Sequence, residues 1–528
     1  MEKNIDNFEL DNLFLNITNP DFNYKTLDFN QNLLFFHSFL QYVLKKENDE
    51  EYKKNHEYKK NENIFSKIKK FYPQKYSDYI SLVSFSIYSY FNHISNISTS
   101  KDLILSIPDF TTSNIRNIIE KACNFFGFNL KQIYNNYICL ALSVLIENKI
   151  KSDKNSNDND NNNEESENKS DSDSDSESVD DEENEQLIIM IYFGKFYIDI
   201  SYFVFNYSNS LIRLECYYKR RFESAGAFDI YFEIFNMFLN ENNIDINSLN
   251  ENEIKEIFIS INNSFDNYID NKEFKITFKK ENKQYNFSIN KNNESNIFKP
   301  YLKNLNPIIK DLIDLVLIEN DQELDKINYC LNVGEMFEIP FVKKTFENDY
   351  ILGTKSDFFD ISLKNKHYKE HINNSLKYIE ISSFNNISIE IIDVCAQNFS
   401  IKLIGNKCSN IIEKYSNYDK IVSKDMFLLD LKKDYFNLIL YEGNYLKIDK
   451  NYFINNYKIS GYNIDNLKED DEVIIKVIFN LNKNGVLNIE AFEAGDNNKN
   501  ENKKLAINNE FEVDLDEDTK NKYRTTNK

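Results

Sequence analysis

Residues 187–201 read LIIMIYFGKFYIDIS and give the strongest indication of the fold of the chain. Two apolar runs rich in β-branched and aromatic residues flank the single Gly194, which is typical of two strands joined by a tight turn. A turn that holds phosphate needs several glycines, because backbone N–H groups reach a phosphate closely only where side chains are absent. Here Gly194 is followed by Lys195, Phe196 and Tyr197. The stretch therefore predicts the scaffold of a nucleotide-binding fold without its phosphate chemistry.

The length and charge of the chain limit the number of domains and the kinds of partner that are expected. A chain of 528 residues exceeds one ordinary core, so two or three domains are expected. The formal net charge of -22 opposes a broad attraction to nucleic acid or to anionic lipid. The amino terminus has no signal pattern, and the longest apolar stretch is short and interrupted by serines. These features predict a cytoplasmic protein with no membrane segment and no specific nucleic-acid binding.

Cysteines and histidines give no sign of a metal or disulfide site. The six cysteines lie far apart in the sequence and include no Cys-x-x-Cys pair, which favours buried free thiols. His367 and His371 are spaced by one helical turn, but no third ligand is close in sequence. The sequence therefore predicts no metal.

Upstream of the central hairpin, alternating apolar residues predict a strand over 103–107, which ends at Pro108. Residues 111–113 are suited to start a helix, and Gly127 to close it. A second helix is expected over 134–150. Residues 152–186 then form an acidic insert with almost no apolar content, which predicts disorder. Two interpretations of the insert remain open: a solvated loop, and a phosphorylated arm that docks on a basic partner.

Downstream, strands and helices continue to about residue 386 in the order of an α/β or α+β ATPase-like domain. From residue 387 the pattern changes to short strands alone, with Asn484 and Gly485 as a strong hairpin turn. This change predicts a separate β-sandwich over 387–495. The remaining residues, 496–528, are expected to be a loose polar tail.

Several of these segments together resemble the heat-shock protein 70 family over nearly the whole chain. They are LILSIPDFTTSNIRNIIEKACNFFGFNL, the central hairpin, YCLNVGEMFEIPFV, IIDVCAQNFSI, YEGN, NNYKISGY and IKVIFNLNKNGVLNIEAF. The resemblance implies a multidomain fold, α/β followed by all-β. It comprises an actin-like ATPase-type nucleotide-binding domain over 1–386, which contains the acidic insert, and a peptide-binding β-sandwich over 387–495. The family's first phosphate hairpin has no counterpart before Asn19, so an amino-terminally truncated domain is expected, and the short polar tail implies no helical lid.

The departures from the family pattern concern the nucleotide site. The family's metal-side aspartate corresponds to Tyr192, and its further glycines and threonine correspond to Lys195, Phe196 and Tyr197. Its Asn-Glu-Pro corresponds to Asn135, Asn136 and Tyr137, its Gly-Gly-Ser to Gly334, Glu335 and Met336, and its catalytic lysine has no match near Gln31 and Asn32. Asp199 keeps its family position.

Gly194, Lys195 and Gly334 are therefore the residues expected to form degenerate phosphate and adenosine loops. Losing four charge-assisted hydrogen bonds removes about 6–12 kcal/mol, which exceeds the binding free energy of a micromolar ligand. The expected cofactor is none or weakly bound ATP, and the chain is not expected to be an ATPase.

On the sandwich, the resemblance implies an apolar cleft that binds an extended peptide. The matching positions are Ile401, Leu403, Ile404, Phe436 and Leu438. The residues alone leave a second interpretation open, in which about half of these side chains are simply sandwich core.

A lidless member without ATPase activity resembles the Ssz type of the family, the atypical subunit of the ribosome-associated complex. The resemblance implies a catalytically inactive chaperone or co-chaperone. Its implied partners are a J-domain co-chaperone, the ribosome or a nascent polypeptide, and another heat-shock protein 70 chaperone. The alternative is a divergent scaffold or exchange-type partner of another such chaperone, with no ribosome link.

Overall fold

The structure is a computed structural model that describes residues 102–147, 184–342, 359–363, 388–427, 434–462, 473–493 and 503–509, apart from short breaks, and a few single positions elsewhere. The chain divides into two compact units. One comprises Met1–Tyr134 with Asp393–Lys528, and the other comprises Asn135–Ile392. The predicted domain boundaries after residues 386 and 495 stay predictions.

The first described elements form a strand, a helix and a second strand. Strand β1 (Asp102–Ile107) and strand β2 (Asn129–Asn135) make a two-stranded sheet, with helix α1 (Ser113–Phe125) between them in the chain. The apolar side chains of α1 at helical spacing are buried in a core that includes those of β1. Gly127 follows the helix with a φ of 72°, a left-handed conformation that glycine adopts without strain. The predicted strand and helix are confirmed.

The second unit is built on a six-stranded sheet. After helix α2 (136–147) come β3 (Asn184–Phe193), β4 (Ile198–Tyr207) and β5 (Leu211–Phe222), an antiparallel meander. The following elements are α3 (Phe228–Glu241), α4 (Glu251–Ile269), the hairpin β6 (Phe274–Lys280) and β7 (Lys283–Ile289), α5 (Glu294–Glu319), β8 (Tyr329–Val333), β9 (Phe359–Leu363) and β10 (Ser388–Ile392). The sheet order is β10-β5-β4-β3-β8-β9.

The parallel direction of neighbouring strands in this sheet brings the residues of the candidate site to one edge. β3 and β8 are parallel, with Tyr192 opposite Val333, and β9 is parallel to β8. The carboxyl ends of parallel strands lie at the same edge of a sheet. The central hairpin forms as predicted, because β3 and β4 are antiparallel and the Gly194 N–H donates to the carbonyl of Tyr197 at 3.1 Å.

One strand lies elsewhere than the sequence analysis placed it. Residues 388–392 were expected to begin the sandwich, but β10 pairs in parallel with β5, with Ile389 opposite Ile212. An edge strand such as β5 leaves a row of backbone groups open, and a short apolar strand satisfies them. Sequence alternation alone does not reveal which sheet such a strand joins.

The sandwich consists of a five-stranded and a four-stranded sheet. Its strands are β11 (Phe399–Lys402), β12 (Cys408–Ile412), β13 (Lys420–Phe427), β14 (Tyr435–Glu442), β15 (Tyr452–Ser460), β16 (Ile474–Leu481), β17 (Leu487–Glu493), β18 (Lys503–Lys504) and β19 (Ala506–Asn509). The orders are β12-β11-β14-β15-β19 and β13-β16-β17-β18. Alternate residues from both sheets share one buried core. The Asn484-Gly485 turn joins β16 to β17 as predicted, with a φ of 76° at Gly485.

Part of the predicted polar tail is in the sandwich. β18 pairs with β17, and β19 pairs with β15. Between them, Leu505 is buried and its N–H donates to the carbonyl of Ala491 at 2.9 Å. Three apolar residues, Leu505 to Ile507, among polar ones give too short a pattern to predict strands.

The polar face at the start of α1 is buried against the sandwich within the same unit. The Asn114 side chain donates to the carbonyls of Phe453 and Ile454, each at 3.1 Å, and the Ser113 hydroxyl accepts from the Leu487 N–H at 2.9 Å. Arg116 donates to the carbonyl of Asn484 at 3.0 Å. These hydrogen bonds satisfy polar groups that would otherwise be costly to bury.

All six cysteines are free, and all except Cys408 are buried, in agreement with the sequence analysis. Of the acidic insert, only residues 184–186 are described, as the start of β3. The predicted disorder of residues 152–183 lies outside the described residues.

Candidate functional site

The structure brings two of the predicted nucleotide-loop residues to one edge of the six-stranded sheet. Gly194 follows β3, and Gly334 follows the neighbouring strand β8. Gly334 has a φ of 113°, and a Cβ atom there would lie 2.3 Å from the carbonyl oxygen of Phe193. Only glycine allows this close approach of two chain segments. Lys195, the third predicted residue, lies outside the described residues.

The space beside Gly194 is occupied by an aromatic ring. A Cβ atom on Gly194 would lie 2.4 Å from Cε1 of Tyr192, so the missing side chain makes room for this ring. The centroid of Tyr192 lies 5.4 Å from that of Tyr137 and 5.8 Å from that of Tyr197. Three tyrosines therefore form a row at the turn where the resemblance implies phosphate groups.

Asp199, the acid at a position where the resemblance implies an aspartate, is engaged by other side chains. Its side chain is 0% exposed and accepts two hydrogen bonds from Arg221, from Nε to Oδ1 at 2.9 Å and from Nη2 to Oδ2 at 2.8 Å. The Tyr137 hydroxyl also hydrogen-bonds to Oδ2 of Asp199. A bidentate guanidinium is the strongest common partner of a carboxylate, so this acid is both neutralised and held in place.

Arg221 completes the cluster. Its guanidinium lies 3.2 Å from the centre of the Tyr197 ring, a cation–π contact. Burial by itself lowers the pKa of Arg221, but the Asp199 carboxylate more than offsets this and holds that pKa well above its ordinary value. The guanidinium therefore stays charged, and its charge is already compensated.

Arg221 was missed by the sequence analysis, although a signal for it exists. Asp199 on β4 and Arg221 on β5 are direct cross-strand partners. However, the β4–β5 register shifts between Tyr202 and Phe203. Counting back from the turn therefore gives the wrong partner unless this irregularity is known.

On the sandwich, the predicted peptide-binding residues have different environments. Leu438 is 5% exposed within the core, so the core interpretation holds for this residue. Ile401 and Phe436 are partly buried and pack against that core. Leu403 is 44% exposed, and Ile404 lies outside the described residues. Of the described members, Leu403 is therefore the most accessible to a partner.

A serine, a histidine and a glutamate meet elsewhere in the second unit. The Ser143 hydroxyl lies 3.0 Å from Nδ1 of His371, and Oε1 of Glu147 lies 3.3 Å from the same nitrogen. A nucleophilic triad requires serine and acid on opposite ring nitrogens, so this arrangement does not have triad geometry. His367 lies outside the described residues, among which no three potential metal ligands cluster.

A comparison with protein-family models places part of the chain in a known family model. Residues 379–526 match the family model described as Hsp70 protein. This match covers the sandwich and supports the Hsp70 family, for which a chaperone-like role is the general expectation. No curated protein matches the chain. None of the helices in the described ranges has the length and apolar character needed to span a lipid bilayer.

Proposed function

We infer that the chain is an Hsp70-like chaperone or co-chaperone that does not turn over ATP. The observation that carries this inference is the Asp199 carboxylate, which is neutralised by Arg221 and hydrogen-bonded by Tyr137. A magnesium ion requires carboxylate or phosphate oxygens with available negative charge. Arg221 would have to break its hydrogen bonds to Asp199 before this carboxylate could bind a metal ion.

The same cluster disfavours the phosphate groups of ATP. Tyrosine rings lie beside Gly194, where a phosphate loop would present backbone N–H groups. The nearby cation, Arg221, is already compensated by Asp199. The second unit then serves as a docking body, and the sandwich holds an extended segment of another polypeptide.

In its finer form, the proposal is a cytoplasmic, Ssz-like subunit that works with a J-domain co-chaperone on nascent chains at the ribosome. A subunit without ATP turnover contributes by binding its partners rather than by cycling between nucleotide states. It therefore has to be paired with an active chaperone.

Titration calorimetry of the full chain with ATP, with and without magnesium, tests the nucleotide part. No detectable binding at high micromolar ATP is the expected result, with a conventional ATP-hydrolysing Hsp70 as the positive control. Tight magnesium-dependent binding would overturn this part of the proposal.

Affinity purification of the tagged chain tests the partner part. A J-domain protein and ribosomal proteins should co-purify. Leu403→Asp should reduce their recovery, and the matched control Ile421→Asp, at an exposed position of β13, should not. Recovery of an Hsp70 chaperone without a J-domain protein or ribosomes would instead favour the scaffold function.

A further inference from the structure

Two loops of the sandwich carry large apolar side chains on the surface. Leu403 precedes the turn between β11 and β12 and is 44% exposed. Tyr445 and Leu446, in the connection between β14 and β15, are 49% and 86% exposed. These are three of the seven large apolar residues that are exposed in the described part of the chain. We call these three residues and the lysines described below the loop patch.

The two loops are joined to each other. Lys407 and Lys447 form an antiparallel bridge, and the Ile448 N–H donates to the carbonyl of Asn406 at 3.4 Å. The thiol of Cys408 lies 3.3 Å from the carbonyl oxygen of Tyr445. The exposed apolar residues of the two loops therefore belong to one surface.

Side-chain hydrogen bonds hold this surface in shape. The Asn451 amide accepts from the Tyr445 N–H at 3.0 Å and donates to the Tyr445 carbonyl at 2.7 Å. Gly443 makes room for this amide, because a Cβ atom there would lie 2.3 Å from Oδ1 of Asn451. A braced surface loses little conformational freedom when a partner binds.

The charges of the loop patch have one sign. Lys402, Lys407 and Lys447 are exposed, and residues 402–408 and 443–448 contain no Asp or Glu. Asp449 and Lys450, which follow in the same connection, have opposite formal charges and lie outside the described residues. Lys407 and Lys447 face each other across the bridge, which is unfavourable for like charges. Salt bridges in the described part of the sandwich join Lys503 to Glu493 and Lys504 to Glu490, and none involves these three lysines. These residues therefore carry a local excess of positive charge in a chain whose net charge is -22.

We propose that the loop patch binds acidic segments of a partner polypeptide that carry large apolar side chains. Carboxylates of the segment pair with Lys402, Lys407 and Lys447 and relieve the repulsion across the bridge. Its apolar side chains cover Leu403, Tyr445 and Leu446. A peptide fits better than a nucleic acid, because two of the three exposed apolar residues are leucines, whereas single-stranded nucleic acid is bound by aromatic side chains that stack on its bases. This inference deepens the proposed function, since it names the class of segment that the sandwich holds.

Fluorescence anisotropy with the full chain and three labelled peptides of equal length tests the proposal. The first contains Leu and Tyr among Asp and Glu, the second replaces the acids by Lys, and the third replaces them by Ser. The acidic peptide should bind about tenfold more tightly than the Ser peptide, since three exposed ion pairs add up to roughly that factor. The Lys peptide should bind most weakly.

Substitutions in the loop patch test whether these residues cause the preference for the acidic peptide. The double variant K407E/K447E should reverse the charge preference, whereas Lys424→Glu, at an exposed lysine of β13, should leave it unchanged. Leu446→Ser should weaken all three peptides, and Ile421→Ser should weaken none.

Two outcomes distinguish a failure of the acidic-segment proposal from a failure of the proposed function, in which the sandwich holds a segment of another polypeptide. Equal binding of all three peptides, insensitive to K407E/K447E, overturns the acidic-segment proposal and leaves segment binding intact. Absence of binding by every peptide contradicts both. Stronger competition by a single-stranded oligonucleotide than by the acidic peptide would assign the patch to nucleic acid and overturn the proposal.

Discussion

The two units bury charge in opposite ways. In the second unit, Asp199 and Arg221 compensate each other through two hydrogen bonds. In the sandwich unit, Glu442 is buried and its Oε2 accepts from the Ser113 N–H at 2.8 Å, while Arg116 donates to the carbonyls of Thr111 and Asn484. The buried charges are therefore expected to leave the stability of the second unit insensitive to pH and to make that of the sandwich unit sensitive to it.

Breaking the compensated pair should have the largest effect. Arg221→Met leaves Asp199 as a buried charge without its cation, which costs about 3–5 kcal/mol of stability. Hydrogen exchange of β4 and β5 should show the loss of protection. The double variant D199N/R221M should regain most of it, because no charge then remains buried. Equal exchange in Arg221→Met and the parent would mean that the pair is not structurally important.

Titrating the carboxyl of Glu442 should have the next largest effect. Burial raises the pKa of Glu442 from 4.5 to about 7, although the Ser113 N–H and Arg116 act to lower it. Because the folded pKa lies above the unfolded pKa, the folded state binds this proton more tightly. Stability therefore falls as pH rises from about 5 to 8, by about 3 kcal/mol in total.

Exchange of the amides at the start of α1, measured across this pH range, checks the expectation. In Glu442→Gln the side chain is neutral at every pH and still offers an oxygen to Ser113. This variant should lose the pH dependence and be more stable than the parent at pH 8. An unchanged pH profile would assign the titration to another group.

A smaller loss of stability is expected from a glycine substitution at the contact between α1 and the sandwich. Gly485 and Gly127 have φ angles of 76° and 72°, so alanine costs about 1 kcal/mol at either. At Gly485 the added Cβ would also lie 2.9 Å from Cδ of Arg116 and 3.0 Å from Cε1 of Tyr418, whereas at Gly127 nothing lies within 4 Å. In urea unfolding, Gly485→Ala should therefore be less stable than Gly127→Ala by about 1 kcal/mol. Equal losses would show that Arg116 adapts without cost.

The helices, strands and turns differ in how well the sequence predicted them. The hairpin around Gly194, helix α1 and the turn at Gly485 were predicted because each depends on neighbours in the chain. The sheet that β10 joins and the strands β18–β19 were not predicted, since a short strand is stabilised by whichever sheet edge it meets.

Some residues of the candidate sites could likewise be predicted from the sequence, and others could not. Tyr192 and Tyr137, at positions where the resemblance implies an aspartate and a proline, could be identified from the sequence, as could the isolated Gly194 and Gly334. The contact of Arg221 with Asp199 was not, and neither was the burial of Leu438. Among the predicted peptide-binding residues, alternation did not distinguish the exposed Leu403 from the buried core.

The turns and the apolar faces follow from the sequence alone, because glycines, prolines and the spacing of apolar residues act over a few positions. Which charged side chains meet depends on the tertiary structure. Asp199 and Arg221 are brought together by a strand register with an irregularity, and Ser113 and Glu442 by the packing of α1 on the sandwich. Such contacts depend on the relative placement of whole elements, to which no local pattern is sensitive.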